Sequence, residues 1–288
     1  MEPFAHLLDS TQRQGLAMLL QELATRFAPA AVYCFGCRVH RFSRSGCFAA
    51  RACYTRADLD LLMLSSEGMS RSHDVQDFAA ACYTGGVVNL ICHTQPAAQL
   101  ALERGHYFFT RVAAQAELLY GAALTASAPI ASIGSTGWEA GTERANAFYT
   151  AAAGCPQSSP GLCLFLLHQA VEQALCGLLL RHTGYRASIH HLGRLLRMCQ
   201  TITTAHDWFA GGSLEERRRF ILLLKSYNAA RYGSSFDVTL DDATFLLNRV
   251  RSLLDEITLD HTLTHQYEPI AEPPPAAAVQ DDLRAMER

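Results

Sequence analysis

Apolar residues recur at helical spacing through most of the second half of the chain. The pattern predicts helices at 140–153, 160–182, 188–204, 213–231 and 240–258. Successive amphipathic helices of this kind are typical of an α-helical bundle. The second one carries His168 and Glu172 four residues apart inside its apolar stripe, where both side chains can point the same way. Because buried polar groups are costly unless they are bonded, this position predicts either an internal polar network or a ligand pocket.

The first 125 residues alternate between helical and strand patterns. Helices are predicted at 10–27, 71–83 and 96–104, strands at 30–36, 45–54, 57–64 and 87–93, and a strand or helix end at 115–121. This order is typical of a small α/β domain with a short mixed sheet. The predicted fold class is therefore α+β, with an all-α bundle at the C-terminal end.

Two segments without apolar periodicity divide the chain. Residues 126–137 are small, polar and glycine-containing, which is typical of a linker. Residues 263–288 contain EPPPAAA and many charges, which predicts a disordered tail. The expected organisation is an α/β domain at 1–125, the linker, a helical bundle at 138–262 and the tail.

Composition acts mainly by excluding function classes. Hydrophobic residues make up 49% of the chain, enough for a core, and the net charge of −3 argues against a dedicated duplex-binding surface. We expect no RNA partner. The start of the chain has no signal pattern, and no apolar run is long enough to span a bilayer, so we expect a cytoplasmic protein without membrane contact.

The ten cysteines mostly lie in apolar segments, where reduced cysteine packs as a small hydrophobic residue. A zinc site at Cys34, Cys37, Cys47 and Cys53 is the alternative.

Asp58 and Asp60 carry the candidate chemistry of the first domain. On a strand, side chains two residues apart share one face, and neighbouring carboxylates repel one another unless a cation lies between them. A hard divalent cation such as Mg²⁺ accepts such ligands and leaves room for phosphate oxygens. A tight turn at Gly36 would let backbone N–H groups approach a phosphate. Two exposed acids at a strand end are the alternative.

Together with Gly36-Cys37, these acids resemble the nucleotidyltransferase fold, whose hallmark is Gly-Ser, a short helix and then Asp-x-Asp on the next strand. The resemblance implies Mg²⁺ on Asp58 and Asp60 and the phosphates of a nucleoside triphosphate at Gly36 and Cys37. It also implies transfer of a nucleoside monophosphate to a hydroxyl of a small molecule or a protein. Cys37 replaces the serine, and Asn89 stands where the fold supplies a third carboxylate. Both replacements favour the alternative, a degenerate nucleotide-binding or interaction module.

Three motifs in the bundle resemble the HEPN domain, a helical module found beside small nucleotidyltransferases. The motifs are LLHQAVEQAL, TGYRASIHHLGRLL and SYNAARYGSSF. The resemblance covers roughly residues 140–260 and implies a nucleotide site that faces the first domain. Its expected residues are His168, Glu172, Tyr185, His190, Arg231 and Tyr232. The alternative is an internal polar network made by His168, Glu172, Tyr185, His190, Tyr227 and Arg231.

The resemblance also bears on catalysis and assembly. Glu143 matches in position the acid that aminoglycoside nucleotidyltransferases place in their helical domain as a general base. HEPN domains often pair, so a homodimer is compatible with the sequence. HEPN ribonucleases carry an Arg, four to six residues and a His, whereas the stretch after Arg231 has no His. Arg186 and His190 have the bare spacing but lie in a predicted turn, which disfavours a ribonuclease.

Overall fold

A computed structural model describes residues 4–66, 72–125, 137–155, 159–200, 202, 209, 212–233 and 237–259. The predicted tail and the predicted linker, apart from residue 137, lie outside these residues. The first part contains a 3₁₀ helix (Phe4–Leu7), α1 (Ser10–Phe27), β1 (Ala31–Gly46), β2 (Ala49–Ser65), α2 (Ser72–Cys82), β3 (Val88–Thr94), α3 (Gln95–Glu103), α4 (Tyr107–Gln115) and β4 (Glu117–Gly121). The second part contains α5 (Glu139–Ala153), α6 (Pro160–Thr183), α7 (Leu192–Met198), α8 (Leu214–Tyr232) and α9 (Leu240–Leu259).

The four strands form one mixed sheet in the order β3-β2-β1-β4. β1 pairs antiparallel with β2 and with β4, while β2 pairs parallel with β3. The strands predicted at 45–54 and 57–64 are one strand, β2, and β1 runs well past the stop predicted at Gly36. Gly36 sits instead at a register shift that follows Cys34, so the strand bulges at this glycine and continues.

Local signals explain most of the remaining elements. Asp9 caps α1 through a reciprocal capping box with Gln12. The sequence analysis missed α4, whose buried face consists mainly of Phe108, Phe109 and Val112. Its nine residues are too short to display a clear helical period.

The helical part confirms the predicted α-helical bundle within the described residues, with α6 at its centre. α6 is long and apolar enough to cross a membrane by length and composition alone, but 67% of that window is buried inside the fold. That burial is typical of a core helix. α7 is much shorter than the helix predicted at 188–204, because its cap is His191 and the residues before it are not helical.

The sheet and the bundle share a hydrophobic core. One cluster of buried side chains runs from Tyr33 and Leu62 of the sheet through Phe108 to Leu167 and Leu195 of the bundle. A second cluster lies on the other face of the sheet, against α1 and α2. Because α7 packs against β3, this junction brings charged residues of the bundle next to the acids of β2.

Candidate functional site at the junction of sheet and bundle

Asp58 and Asp60 lie on one face of β2, as their spacing predicts, and both are buried. Their residues are only 2% and 5% exposed, so the alternative of two exposed acids at a strand end is wrong. Leu59 between them points into the other core cluster. A buried carboxylate requires hydrogen bonds or a counter-charge, and both acids have them.

Gly36 lies directly opposite Asp60 in the register of β1 and β2. A Cβ atom at residue 36 would lie 2.7 Å from Oδ2 of Asp60 and 3.2 Å from its Cβ. The glycine therefore leaves the space that the carboxylate fills. The glycine and the acid converge, as expected, but within the sheet and not at a turn.

Each acid is held by an arginine of the β1–β2 hairpin, Arg38 on β1 and Arg56 on β2. The guanidinium of Arg38 donates to both oxygens of Asp60, at 2.5 and 3.2 Å. Arg56 donates to both oxygens of Asp58, at 2.8 and 3.3 Å. Asp58 also accepts a hydrogen bond from the backbone N–H of Val87 at 2.9 Å. These bidentate contacts neutralise both carboxylates without a metal ion.

Asn89 connects the acids to the bundle. Its amide Nδ2 donates to Asp60 Oδ1 at 2.8 Å, and its Oδ1 accepts from Nε of Arg197 on α7 at 3.2 Å. The neighbouring Arg194 donates from Nη2 to the carbonyl oxygen of Leu90 at 3.0 Å. Burial lowers the pKa of both arginines, although they remain cations. The site therefore spans the sheet and the bundle.

The arginines of α7 bond carbonyl oxygens, whereas Arg38 and Arg56 bond carboxylates. Among the described residues, no carboxylate lies in ion-pair contact with Arg194 or Arg197. The Nε atoms of Arg38 and Arg194 are buried without a hydrogen-bond partner in that part of the chain. The junction thus holds the guanidinium groups of Arg38, Arg56 and Arg197 around Asp58 and Asp60, while Arg194 lies beside Leu90 of β3. This surplus of positive charge is suited to an anion.

Two other predicted residues, Cys37 of the first domain and Glu143 of the bundle, lie beside and away from this site. Cys37 is adjacent to Arg38, and burial raises the pKa of its thiol, while the arginine opposes that shift. Glu143 is exposed on α5, and the described hydrogen bonds and ion pairs do not connect it to Asp58 or Asp60.

A second polar cluster lies within the bundle. His190 is 63% exposed in its side chain, and its Nδ1 lies 3.0 Å from Oε1 of the buried Glu172. His168 is buried and lies 3.0 Å through Nδ1 from the carbonyl oxygen of Leu223. The ring of Tyr227 stacks on both histidines, with centroids 5.2 Å from His168 and 5.9 Å from His190. Burial lowers the pKa of His168. These contacts form the internal polar network that the sequence left as an alternative.

Of the three other predicted bundle residues, only Arg231 belongs to this polar cluster. Arg231 lies over the ring of Tyr227 at 5.1 Å and bonds its hydroxyl, so it joins the cluster. Tyr185 is buried elsewhere, 3.3 Å through its hydroxyl from His93 Nε2 and packed on Phe108. Tyr232 is 75% exposed and separate.

Arg186 and His190 have the sequence spacing of the ribonuclease motif, but their side chains contact different residues. A Cβ on Gly137 would lie 3.5 Å from Arg186 Nη2, which places that guanidinium beside the start of α5. His190 instead faces Glu172 and Tyr227.

The donors at this site do not have the arrangement of a metal centre. In the described ranges, no group of three or more His, Cys, Asp or Glu side chains is arranged to hold a metal ion. Asp58 and Asp60 are hard oxygen donors of the kind Mg²⁺ prefers, but their oxygens are engaged by guanidinium groups. The zinc alternative requires Cys37 and Cys53 to lie close together. Cys53 instead pairs with Ser43 of β1, which is six residues from Cys37, or roughly 20 Å at strand spacing. The four-cysteine alternative is therefore wrong.

Four arginines of this site were not predicted from the sequence: Arg38, Arg56, Arg194 and Arg197. The alternation of β2 alone places Arg56 on the face of Asp58 and Asp60, whereas Arg38 reaches that face only if β1 and β2 form a hairpin with a bulge at Gly36. The side chains of α7 gave no comparable signal, since their proximity to β3 is a tertiary contact.

Comparisons with known proteins identify a family for the helical part of the chain. No curated protein matches the chain. The N-terminal mixed α/β part has no assigned family. The HEPN domain family matches residues 142–260, which begin within α5 and extend through α9, and this helical part of the chain is a HEPN domain.

Proposed function

We propose that this protein is a nucleotide-binding module that receives phosphate groups on the arginines at the junction of sheet and HEPN domain. The observation that carries the proposal is the surplus of guanidinium groups over carboxylates at this junction. Asp58 and Asp60 act in it as anchors that orient Arg56 and Arg38. The phosphates would supply the direct ion pairs that Arg194 and Arg197 do not make with any described carboxylate.

Electrostatics supports the arginines as phosphate ligands. A buried charge is costly unless it is paired, and Arg194 and Arg197 bond only neutral carbonyl oxygens. A guanidinium presents its donors as a planar fork that matches two phosphate oxygens. The unpartnered Nε atoms of Arg38 and Arg194 add donors at the same place. The nucleotide itself is inferred from the resemblance of the sequence to modules that bind nucleoside triphosphates.

A metal-dependent nucleotidyltransferase is the second candidate. It is favoured by one observation, the two carboxylates on one face of β2 against the glycine at position 36. In that case Asp58 and Asp60 would hold Mg²⁺, and Asn89 would contribute an amide oxygen in place of a third carboxylate. The cation would have to displace Arg38 and Arg56 from both acids, which argues for the binding module.

Titration calorimetry with ATP tests the proposal. We expect ATP to bind without Mg²⁺ and Arg197→Gln to weaken binding by about tenfold or more, since a hydrogen bond to a charged group contributes ~1.5–3 kcal/mol. Arg217→Gln is the matched control, because Arg217 is an exposed arginine of α8 away from the junction. It should bind as the wild type does.

The same titrations distinguish the two candidates. ATP binding that requires Mg²⁺, disappears in Asp58→Asn/Asp60→Asn and is unchanged in Arg197→Gln would overturn the binding module in favour of the transferase. Circular dichroism of each variant confirms that the fold is retained. If wild-type protein binds neither ATP nor Mg²⁺-ATP, both candidates fail.

A further inference from the structure

Helix α8 presents a stripe of exposed residues to solvent. Five exposed residues recur at helical spacing and define this α8 stripe: Arg217, Ile221, Lys225, Asn228 and Tyr232. The opposite side of the helix is buried in the bundle, for example at Leu223 and Ser226. Because Ile221 is 47% exposed and Tyr232 is 75% exposed, the stripe offers apolar surface that the described fold leaves uncovered.

The stripe also carries two cations that lack a close carboxylate. The neighbouring Arg218 and Arg219 are neutralised by ion pairs with acids of α8 and α9. Arg217 and Lys225, by contrast, have no carboxylate in ion-pair contact among the described residues. Apolar surface flanked by free positive charge fits an acidic, amphipathic partner.

The chain itself contains an acidic segment after α9. Residues 260–288 lie outside the described residues and contain six Asp or Glu and two Arg, which gives a net charge of −4. Because the whole chain has a net charge of −3, the first 259 residues have a net charge of +1. The excess negative charge of this protein is therefore concentrated in its C-terminal segment.

The end of this segment also carries apolar residues at helical spacing. Val279, Leu283 and Met286 follow the i, i+4, i+7 pattern, and Asp281 and Asp282 lie between them. The pattern covers only two turns, so it does not give the segment as a whole an apolar period. Short amphipathic segments of this kind bind by laying their apolar side on a complementary surface.

We propose that residues 279–287 dock on the α8 stripe of the same chain as a short amphipathic helix. The apolar side of this helix packs on Ile221 and Tyr232, and its acids lie beside Arg217 and Lys225. Docking removes apolar surface from water on both sides and gives both cations a counter-charge. This proposal is independent of nucleotide binding at the junction.

The attachment and length of the segment permit this docking. α9 ends at Leu259 and is joined to α8 by the ion pair of Arg249 with Glu216. The chain from Leu259 to Val279 spans up to roughly 66 Å when extended, whereas α8 is about 28 Å long. Tethering gives an effective concentration on the order of millimolar, so weak contacts suffice.

Charge favours this occupant over a second copy of the chain. Packing two α8 stripes together would place Arg217 and Lys225 of one chain against the same residues of the other, and like charges repel. The C-terminal segment brings opposite charge instead. It is also present at every α8 stripe in equal number, whereas association of two chains depends on protein concentration.

Carbodiimide cross-linking of the full chain tests the proposal, because this reagent joins a lysine amine to a carboxylate only where the two are in contact. Lys225 is the only lysine of the chain, so the readout is specific. We expect a cross-link from Lys225 to Asp281, Asp282 or Glu287, identified by mass spectrometry of peptides. In a mixture of ¹⁵N-labelled and unlabelled chains, each cross-linked peptide pair should contain a single isotope.

Two double variants retain Lys225 and remove the apolar contacts from one side or the other. Leu283→Ser/Met286→Ser and Ile221→Ser/Tyr232→Ser should each lower the cross-linking yield about tenfold, because the apolar contacts are lost. The first variant changes no residue of the described fold, so its effect does not depend on the stability of α8. Raising the salt concentration to about 1 M should also lower the yield, because salt screens the ion pairs.

The matched control moves the only lysine to another exposed position. Lys225→Arg/Arg104→Lys keeps the net charge and places the amine at the end of α3. It should give no cross-link to residues 281–287. ATP titration of Leu283→Ser/Met286→Ser should match the wild type, so failure of this proposal is separable from failure of the junction site.

Three outcomes would overturn the proposal. They are an absence of cross-links within one chain between Lys225 and residues 281–287, an equal yield in Lys225→Arg/Arg104→Lys, and an unchanged yield in Leu283→Ser/Met286→Ser. Cross-linked peptide pairs that combine both isotopes would replace docking within the chain with a second copy.

Discussion

Gly36 and Asp60 illustrate how single residues determine the candidate site. The absent side chain of Gly36 leaves the space that the Asp60 carboxylate occupies, and that carboxylate in turn bonds Arg38 and Asn89. Through Asn89, one buried acid is connected to Arg197 on another part of the chain. A small change at this residue pair therefore affects the arginines on both sides of the junction.

Substituting Gly36 tests that dependence. Gly36→Ala places a Cβ 2.7 Å from Asp60 Oδ2, which is too close, so the carboxylate or the strand must shift. We expect a loss of about 1–3 kcal/mol in the free energy of unfolding, the usual cost of overpacking. Urea denaturation measures it. Gly154→Ala is the control, because its Cβ would meet nothing closer than 3.6 Å; equal losses in both variants would contradict the argument.

The sequence carried some of this residue-level information. The alternation of a strand placed Asp58 and Asp60 on one face, as the structure has them. Arg56 shares that face two residues before Asp58, but Arg38 could not be assigned as the partner of Asp60, because the register of β1 and β2 depends on a one-residue bulge after Cys34. The polar pair His168 and Glu172 was identified correctly as unusual within an apolar helix, and the two side chains lie 3.8 Å apart.

At the scale of elements, α7 determines where two of the arginines lie. The helix is only seven residues long, and His191 caps it by accepting from the backbone N–H of Arg194. Leu192, Leu195 and Leu196 are buried on its core side. Packing of this side orients Arg194 and Arg197 toward β3. The prediction of a helix over 188–204 identified the element but not its length.

Truncating the buried side of α7 should therefore affect both stability and binding. Leu195→Ala removes a fully buried side chain, and we expect a loss of about 2–5 kcal/mol in unfolding free energy. ATP affinity should fall as well, because Arg197 loses its fixed orientation. Leu214→Ala, at an 85% exposed leucine of α8, should change stability by less than about 0.5 kcal/mol. Wild-type ATP affinity in folded Leu195→Ala would contradict the positioning role.

At the scale of the whole molecule, the sheet and the HEPN domain are joined by a continuous core. That arrangement buries several titratable groups near the junction and within the bundle. Burial lowers the pKa of His93, His106, His168 and His191. The folded state thus disfavours the charged imidazolium, whereas the unfolded chain takes up protons near pH 6.5.

These shifts predict acid sensitivity. A histidine whose pKa is lowered by folding contributes stability that is present above its unfolded pKa and is lost as the pH falls below it. We expect a lower free energy of unfolding at about pH 5 than at about pH 7.5, measured by urea denaturation. His168→Gln should flatten this dependence, while the control His73→Gln, at an exposed histidine of α2, should not. Stability that is equal or higher at the acid pH would contradict the prediction.

By itself, the sequence determined the α+β class, the succession of strand and helical segments and the HEPN domain in the second half. These properties follow from hydrophobic periodicity and short motifs, which are local along the chain. Only the tertiary structure decided that Asp60 is bonded by Arg38 and connected through Asn89 to Arg197, because those contacts are not local. The hydrogen bond between Asn89 and Arg197 joins residues 108 positions apart, and no periodicity in either segment specifies the other.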